Sequence, residues 1–247
     1  VVPANTENFQ INFDAFEQML TPAVQAVLIN SPNNPSGAVY SAETLRQMAD
    51  MLLQKEKEFG HEIWLISDEP YRELAYGPEV SWVPSIYDNT LVCYSWSKSL
   101  SLPGDRIGYV LVPNEVEESE RVMFAVAGAG RALGYICAPV FFQRVIAACV
   151  DEPVNASAYA ANRELLTQGL DELGYHYIAP DGAFYLWMQA LEPDAQAFSD
   201  KAKEHELLLV PSDSFGVGGW VRVSYCVSAD VIRNSMPAFA ALKRDYE

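Results

Sequence analysis

Ser95-Trp96-Ser97-Lys98 closes an apolar run and leads, through Ser99-Leu100-Ser101-Leu102-Pro103-Gly104-Asp105, to Arg106-Ile107-Gly108-Tyr109. One amine thus sits among small hydroxyls, with a guanidinium eight positions later. A lysine in such a place can form a Schiff base with a carbonyl. Ser95, Ser97 and Arg106 can hold a phosphate, and the planar fork of an arginine suits phosphate oxygens better than a second lysine would. A ligand that carries both a carbonyl and a phosphate is pyridoxal phosphate (PLP). Most lysines are solvated surface charges, so the meaning of Lys98 comes from its context. The plainer fate of Arg106 is an ion pair with Asp105.

Three further segments carry polar groups of the right kind. In Ser67-Asp68-Glu69-Pro70-Tyr71 the Asp68 carboxylate can cap a following helix. Facing a pyridine nitrogen, it would instead keep that ring protonated and so an electron sink. Tyr71, three residues on, can donate to a ring oxygen or simply pack. Asn33-Asn34-Pro35-Ser36-Gly37 is a turn by composition, in which Asn34 can offer its amide to a ring oxygen or a carboxylate. In Trp220-Val221-Arg222-Val223-Ser224-Tyr225 the alternation puts Val221, Val223 and Tyr225 on one face and Arg222 on the other, commonly a solvated one.

Short apolar runs precede the first three of these groups: Ala26 to Ile29, Ile63 to Ile66, and Leu91 to Tyr94. Uninterrupted runs of this length fit strands buried on both faces of a parallel sheet. Between the first two, Ser41 as N-cap, Gly60 as stop, and Leu45, Met48, Ala49, Leu52 and Leu53 on one face predict a helix. Strand, helix, strand is the unit of an open α/β sheet. Parallel strands end on the same side, so Asn34, Asp68 and Lys98 gather along one rim, where ligands of such sheets bind.

From Glu115 to about Ala148 the sequence predicts irregular helix, interrupted at Gly128, Gly130 and Gly134. Beyond Asp151-Glu152-Pro153 come a helix ending at Gly174, strands at Tyr175 to Ile178, Phe184 to Met188, Leu207 to Val210 and Val221 to Tyr225, and a closing helix capped by Ser228. Pro237 should kink or shorten that last helix. The expected fold class is α/β, with residues 1–150 forming a domain around a mostly parallel sheet and residues 151–247 a smaller α+β domain.

The formal charge of −17 over 247 residues disfavours nucleic acid and anionic lipid as partners. No apolar run approaches the roughly 18 residues that cross a bilayer, and the first residues carry no targeting pattern, so a cytoplasmic location is expected. Cys93, Cys137, Cys149 and Cys226 are scattered in apolar contexts and are expected to be buried free thiols. His61, His176 and His205 stand apart from one another and from the cysteines, so no metal site is expected.

Asn34-Pro35-Ser36-Gly37, Ser67-Asp68-Glu69-Pro70-Tyr71, Ser95-Trp96-Ser97-Lys98 with Arg106-Ile107-Gly108-Tyr109, and Arg222-Val223-Ser224 follow one another in the order and approximate spacing of class I/II (fold type I) PLP-dependent aminotransferases. Pro180-Asp181-Gly182-Ala183-Phe184-Tyr185 and Pro211 to Gly216 also resemble that family. The resemblance implies Lys98 as the Schiff-base lysine and proton carrier and Asp68 as partner of the pyridine nitrogen. It implies Tyr71 and Asn34 at the ring oxygen, and Ser95, Ser97 and Arg106 at the phosphate. Arg222, with Asn34, would clamp the substrate α-carboxylate. Substrates would be an amino acid and a 2-oxo acid, and the enzyme a homodimer. Measured against the family, the chain begins late, so it is expected to be a C-terminal portion that binds PLP weakly or not at all alone and leaves a sheet edge unpaired. Two other outcomes share these residues: a PLP-dependent carbon–sulfur β-lyase, and an aminotransferase-like sensing domain of a transcription regulator.

Overall fold

The computed structural model describes residues 1–247. A short helix α1 (Phe13–Met19), capped by the Asn12 side chain, precedes β1 (Ala26–Asn30). Helix α2 (Ala42–Phe59) starts where the Ser41 hydroxyl accepts the Thr44 N–H and stops at Gly60, whose φ of 76° is left-handed. Its Leu45, Met48, Ala49 and Leu52 are buried, whereas Leu53 is 44% exposed and leaves the face assigned to it from sequence. β2 (Trp64–Asp68) and β3 (Thr90–Ser95) follow, then the single-turn helix α3 (Trp96–Ser99) and β4 (Gly108–Leu111).

These strands form one sheet in the order β1-β2-β3-β4, the first three parallel and β4 antiparallel to β3. β4 was not anticipated, because a four-residue apolar run after a turn carries no alternation to identify it. β1 and β4 are the sheet's edges: Leu28 is 66% exposed, and every residue of β4 is exposed.

α4 (Ser119–Ala132) runs straight through Gly128 and Gly130, so the interruptions expected at these two glycines do not occur; only Gly134, at φ 92°, lies at a true break. A helix tolerates such glycines at about 1 kcal/mol each. After α5 (Val140–Cys149) and α6 (Ala156–Glu172) come β5 (Tyr177–Ile178), β6 (Tyr185–Gln189), α7 (Ala195–Glu204), β7 (Val210–Pro211), β8 (Trp220–Ser224) and α8 (Ala229–Arg244). The second sheet has the order β5-β6-β8-β7 and is antiparallel throughout. Ser228 caps α8, which continues past Pro237 to Arg244, so the proline does not shorten it. No helix is long and apolar enough to cross a membrane.

Two glycines let the sheets meet. Gly37, at φ 73°, accepts the Asp181 and Gly182 N–H groups at 3.0 and 2.9 Å. A Cβ there would come within 2.4 Å of the Pro180 Cβ and 2.9 Å of the Tyr185 carbonyl oxygen. At Gly182 a Cβ would meet Pro32 and the Leu74 carbonyl. Tyr71 and Leu74, beyond β2, share a core with Phe184, Tyr185, Val223 and Tyr225, so the first sheet's rim is packed directly on the second sheet.

Candidate functional site

At the carboxyl end of the parallel strands Asn30 and Asp68 stand opposite each other in register. The Asn30 amide nitrogen donates to the Asp68 carbonyl at 2.9 Å and to its Oδ2 at 3.1 Å. Asp68 caps no helix, because the residues after it form turns. Burial raises its pKa above the ordinary carboxylate value, and the bond from Asn30 opposes that rise.

The turn after Asp68 is held by a buried pair. Glu69, 1% exposed, accepts from the Ser67 hydroxyl at 2.7 Å and from Arg72 Nε at 2.6 Å. Arg72 also donates to the Val80 and Ser81 carbonyls and lies over the Trp82 ring. Desolvation raises the Glu69 pKa despite the attraction of Arg72. This clamp sets Tyr71, which is 3% exposed and packs edge-on against Phe184 and Tyr185. Burial, then the neighbouring Tyr185 hydroxyl, pushes the Tyr71 pKa up.

Lys98 lies on α3, whose single turn is fixed from both sides. The Trp96 N–H donates to the Ile107 carbonyl at 3.3 Å, and the Tyr94 hydroxyl bonds both Ser99 Oγ and Glu73 Oε1 at 2.8 Å. A Cβ at Gly108 would meet the Tyr94 carbonyl at 2.3 Å, so glycine is needed where β4 closes on this turn. Lys98 Nζ lies 5.5 Å from the Tyr71 ring centroid and 5.3 Å from that of Phe184. It makes no ion pair among those of the chain.

Arg222 on β8 points away from the buried Val221, Val223 and Tyr225, as the alternation predicts, but it is half-buried rather than on a fully solvated face. It lies 4.4 Å from the Tyr185 ring centroid and 5.4 Å from that of Phe215, and Nη1 donates to Asn34 Oδ1 at 2.9 Å. Its Nε is buried without a partner. Asn34 in turn donates its backbone N–H to Asn30 Oδ1 at 2.7 Å. Lys98, Tyr71, Tyr185, Arg222, Asn34, Asn30 and Asp68 therefore form one continuous line of contacts, joining both sheets.

Arg106 stands outside that line. It is exposed, has a left-handed φ of 52°, and donates to the Pro103 carbonyl at 2.9 Å; the ion pair with Asp105 is not formed. Its backbone is nevertheless beside the Lys98 turn, since Ile107 bonds Trp96 and Gly108 faces Ser95. Asn30, Tyr185 and Phe215 were missed from sequence, although a polar residue ending an apolar strand run was a signal for Asn30. Of the cysteines, none of them disulfide-bonded, Cys137 and Cys226 are exposed rather than buried. Cys137 follows the exposed Tyr135 and Ile136, and Cys226 lies just past the end of β8, between the buried Tyr225 and the exposed Val227. No group of acidic, histidine and cysteine side chains could hold a metal ion.

A cavity of about 540 Å³ adjoins the line at Asn30 and Asn34; Phe9, Ile29, Trp187 and Phe215 give it a mostly apolar wall, which Gln10, Asn12, Asn33 and Ser36 also line. Lys98, Asp68 and Arg222 do not line it. The chemistry belongs to the rim.

The residues of the rim fit PLP in donor type. An amine without an ion pair, the Tyr71 hydroxyl, a guanidinium with an orphaned Nε and a half-buried carboxylate stand on one line of contacts, and Ser95 and Ser97 flank Lys98 in sequence at the end of β3 and on α3.

Comparison with known proteins gives the same picture over the chain's whole length. It is similar to an amino transferase from Eubacterium rectale of known crystal structure, with 55% identity and a TM-score of 0.96, covering 100% of this chain and 62% of that one. The aspartate aminotransferase of Thermus thermophilus with maleate superposes with a TM-score of 0.79 at 29% identity, covering 97% of this chain and 62% of that one. The aspartate/prephenate aminotransferase of Thermus thermophilus is 31% identical over 243 residues, 95% of this chain and 60% of the relative. The chain thus spans about 60% of the length of such relatives. The family model for aminotransferase class I and II matches residues 1–239, a span that takes in Asn34, Asp68, Tyr71, Lys98 and Arg222 alike, and the chain belongs to that family.

Proposed function

We propose that the whole protein is a PLP-dependent aminotransferase that moves an amino group between an amino acid and a 2-oxo acid, and that this chain supplies its Schiff-base lysine, Lys98, and its carboxylate clamp, Arg222. The observation that carries the reading is the unbroken contact line from Lys98 through Tyr71, Tyr185, Arg222, Asn34 and Asn30 to Asp68. Family membership supports it. The reading divides the chain at about residue 150, supported by the two separate sheets.

PLP, when bound, supplies a carbonyl for amines and a ring that accepts electrons. Asp68 would hold a proton on the ring nitrogen, at a position whose burial strengthens that interaction. Ser95, Ser97 and Arg106 would hold the phosphate, Arg106 by turning from the Pro103 carbonyl. Tyr71 and Asn34 would donate to the ring oxygen. Lys98, against two aromatic faces, would carry the proton of the substrate α-carbon. Arg222, with Asn34, would hold the substrate α-carboxylate; aspartate and aromatic amino acids, which the relatives' names mention, share that group. A homodimer in the cytoplasm is part of the same reading.

The test is a panel of amino donors with 2-oxo-acid acceptors, run on the full-length protein and on Lys98→Ala. Transfer that disappears in Lys98→Ala supports the reading, and transfer retained there overturns the role of Lys98. Pyruvate release from a cysteine thioether without oxo-acid exchange would replace transamination by β-elimination.

A further inference from the structure

Asn30 links two groups that are assigned to different ligands. Its amide nitrogen donates to Asp68 Oδ2 and to the Asp68 carbonyl, while its amide oxygen accepts the Asn34 N–H at 2.7 Å. Its own carbonyl accepts from Asn33 Nδ2 at 3.1 Å, so the whole β1 end and the turn after it are organised around this residue. Because one amide nitrogen serves Asp68 and one amide oxygen serves Asn34, flipping the Asn30 amide would break both sides at once. Asn34 Oδ1 is itself engaged by Arg222.

We propose that Asn30 is a positioning residue, which aims the Asp68 carboxylate and the Asn34 to Arg222 pair from a single side-chain amide and so couples the cofactor end of the rim to its substrate end. The proposal rests on the reading of Asp68 and Asn34 given above. The groups facing Asp68 are few: Asn30 is its hydrogen-bond partner, and Tyr71 and Cys93 are its titratable neighbours, each with its own pKa pushed up chiefly by burial. No cation pairs with Asp68, so the Asn30 amide is the one group drawing its carboxylate toward the ionised form. Replacing Asn30 by Asp separates its two duties, because an ionised aspartate still accepts the Asn34 N–H but cannot donate to Asp68.

The experiment is NMR on the full chain, following the Asp68 carboxyl carbon, the Asn30 side-chain NH2 and the Asn34 amide, with Asp68→Asn to assign the carboxyl signal. In the parent chain the Asn30 NH2 signal is expected to shift with pH at the midpoint of Asp68. In Asn30→Ala the Asp68 midpoint should rise by about one pH unit, and Asn34 amide exchange should speed up about tenfold, the loss of one net hydrogen bond. In Asn30→Asp the higher midpoint of the carboxylate pair should rise at least as far, while Asn34 exchange stays as in the parent. An Asn30 NH2 signal that ignores the Asp68 titration overturns the proposal, and this measurement is made on the parent chain, with Asp68→Asn needed only for the assignment. An unchanged Asp68 midpoint in either variant, or unchanged Asn34 exchange in Asn30→Ala, overturns it as well. These signals are independent of amino transfer, so their failure is distinct from a failure of the Lys98→Ala test.

Discussion

Arg222 Nη1 donates to Asn34 Oδ1 at 2.9 Å, joining positions 188 residues apart and thereby the two sheets. With Asn34 Oδ1 occupied as an acceptor, its amide nitrogen is left to donate, which is the role required toward a ring oxygen or a carboxylate. The bond also fixes the roll of the guanidinium over Tyr185 and Phe215. Arg222→Lys keeps the charge but loses both the fork and the stacking. We expect KM for amino-acid donors to rise by roughly 10- to 100-fold, matching the loss of about 1.5–3 kcal/mol for a charge-assisted hydrogen bond, with kcat changed less. Donors that lack the α-carboxylate should react equally poorly with parent and variant. Steady-state kinetics of the full-length enzyme with both donor types checks this.

Asp68 predicts a dependence of stability on pH. Its folded pKa is raised by burial, so between its unfolded and folded values the native chain binds more protons than the unfolded one, and stability falls as pH rises through that window. Above the window the ionised carboxylate is a cost to the fold without cofactor. Asp68→Asn should therefore stabilise the cofactor-free chain at pH 7, by no more than about 1 kcal/mol given its partial exposure, and the gain should vanish in acid. Thermal unfolding of parent and variant at several pH values measures it; an equal gain at low and neutral pH would contradict the assignment.

Local chemistry made much of this arrangement readable from the sequence. The Ser41 hydroxyl and Gly60 delimit α2 by side-chain and backbone rules that need no tertiary information. Apolar runs followed by polar groups placed Asn34, Asp68 and Lys98 on one rim, because parallel strands share a direction. What escaped depends on pairing across long distances. Asn30 gains its meaning from standing opposite Asp68, and Tyr185 and Phe215 gain theirs from the place where β8 delivers Arg222. Alternation told which face Arg222 takes, yet it could not tell that two rings cover that face. The same blindness to tertiary context made Cys137 and Cys226 look buried and Gly128 and Gly130 look like breaks.

The Glu69 and Arg72 pair should be expensive to break. Glu69 is almost fully buried and Arg72 satisfies two carbonyls besides the carboxylate. Arg72→Met would leave the Glu69 carboxylate buried and unpaired, at a cost of about 3–5 kcal/mol for a pair broken from one side. The double variant Arg72→Met with Glu69→Gln should recover part of that, since the lone charge is gone. Urea unfolding of the two singles and the double forms the cycle, and a coupling near zero would mean that the pair does not organise the turn between Asp68 and Tyr71.

Gly37→Ala tests how the rim is seated on the second sheet. The added methyl would lie 2.4 Å from Pro180 Cβ and 2.9 Å from the Tyr185 carbonyl oxygen, and neither neighbour is the free end of a flexible side chain. The residue also holds a φ of 73°, where a Cβ adds about 1 kcal/mol of its own. Overpacking in such a place costs about 1–3 kcal/mol, so a total loss of roughly 2–4 kcal/mol is expected in chemical unfolding. Relief of the clash must move the Asn33 to Gly37 turn away from Pro180 and Tyr185, which carries Asn34 away from Arg222. Affinity for the amino-acid donor should therefore fall along with stability. By contrast Gly60→Ala, at a similar φ of 76° but with open space around its Cβ, should lower stability by only about 1 kcal/mol and leave donor affinity unchanged.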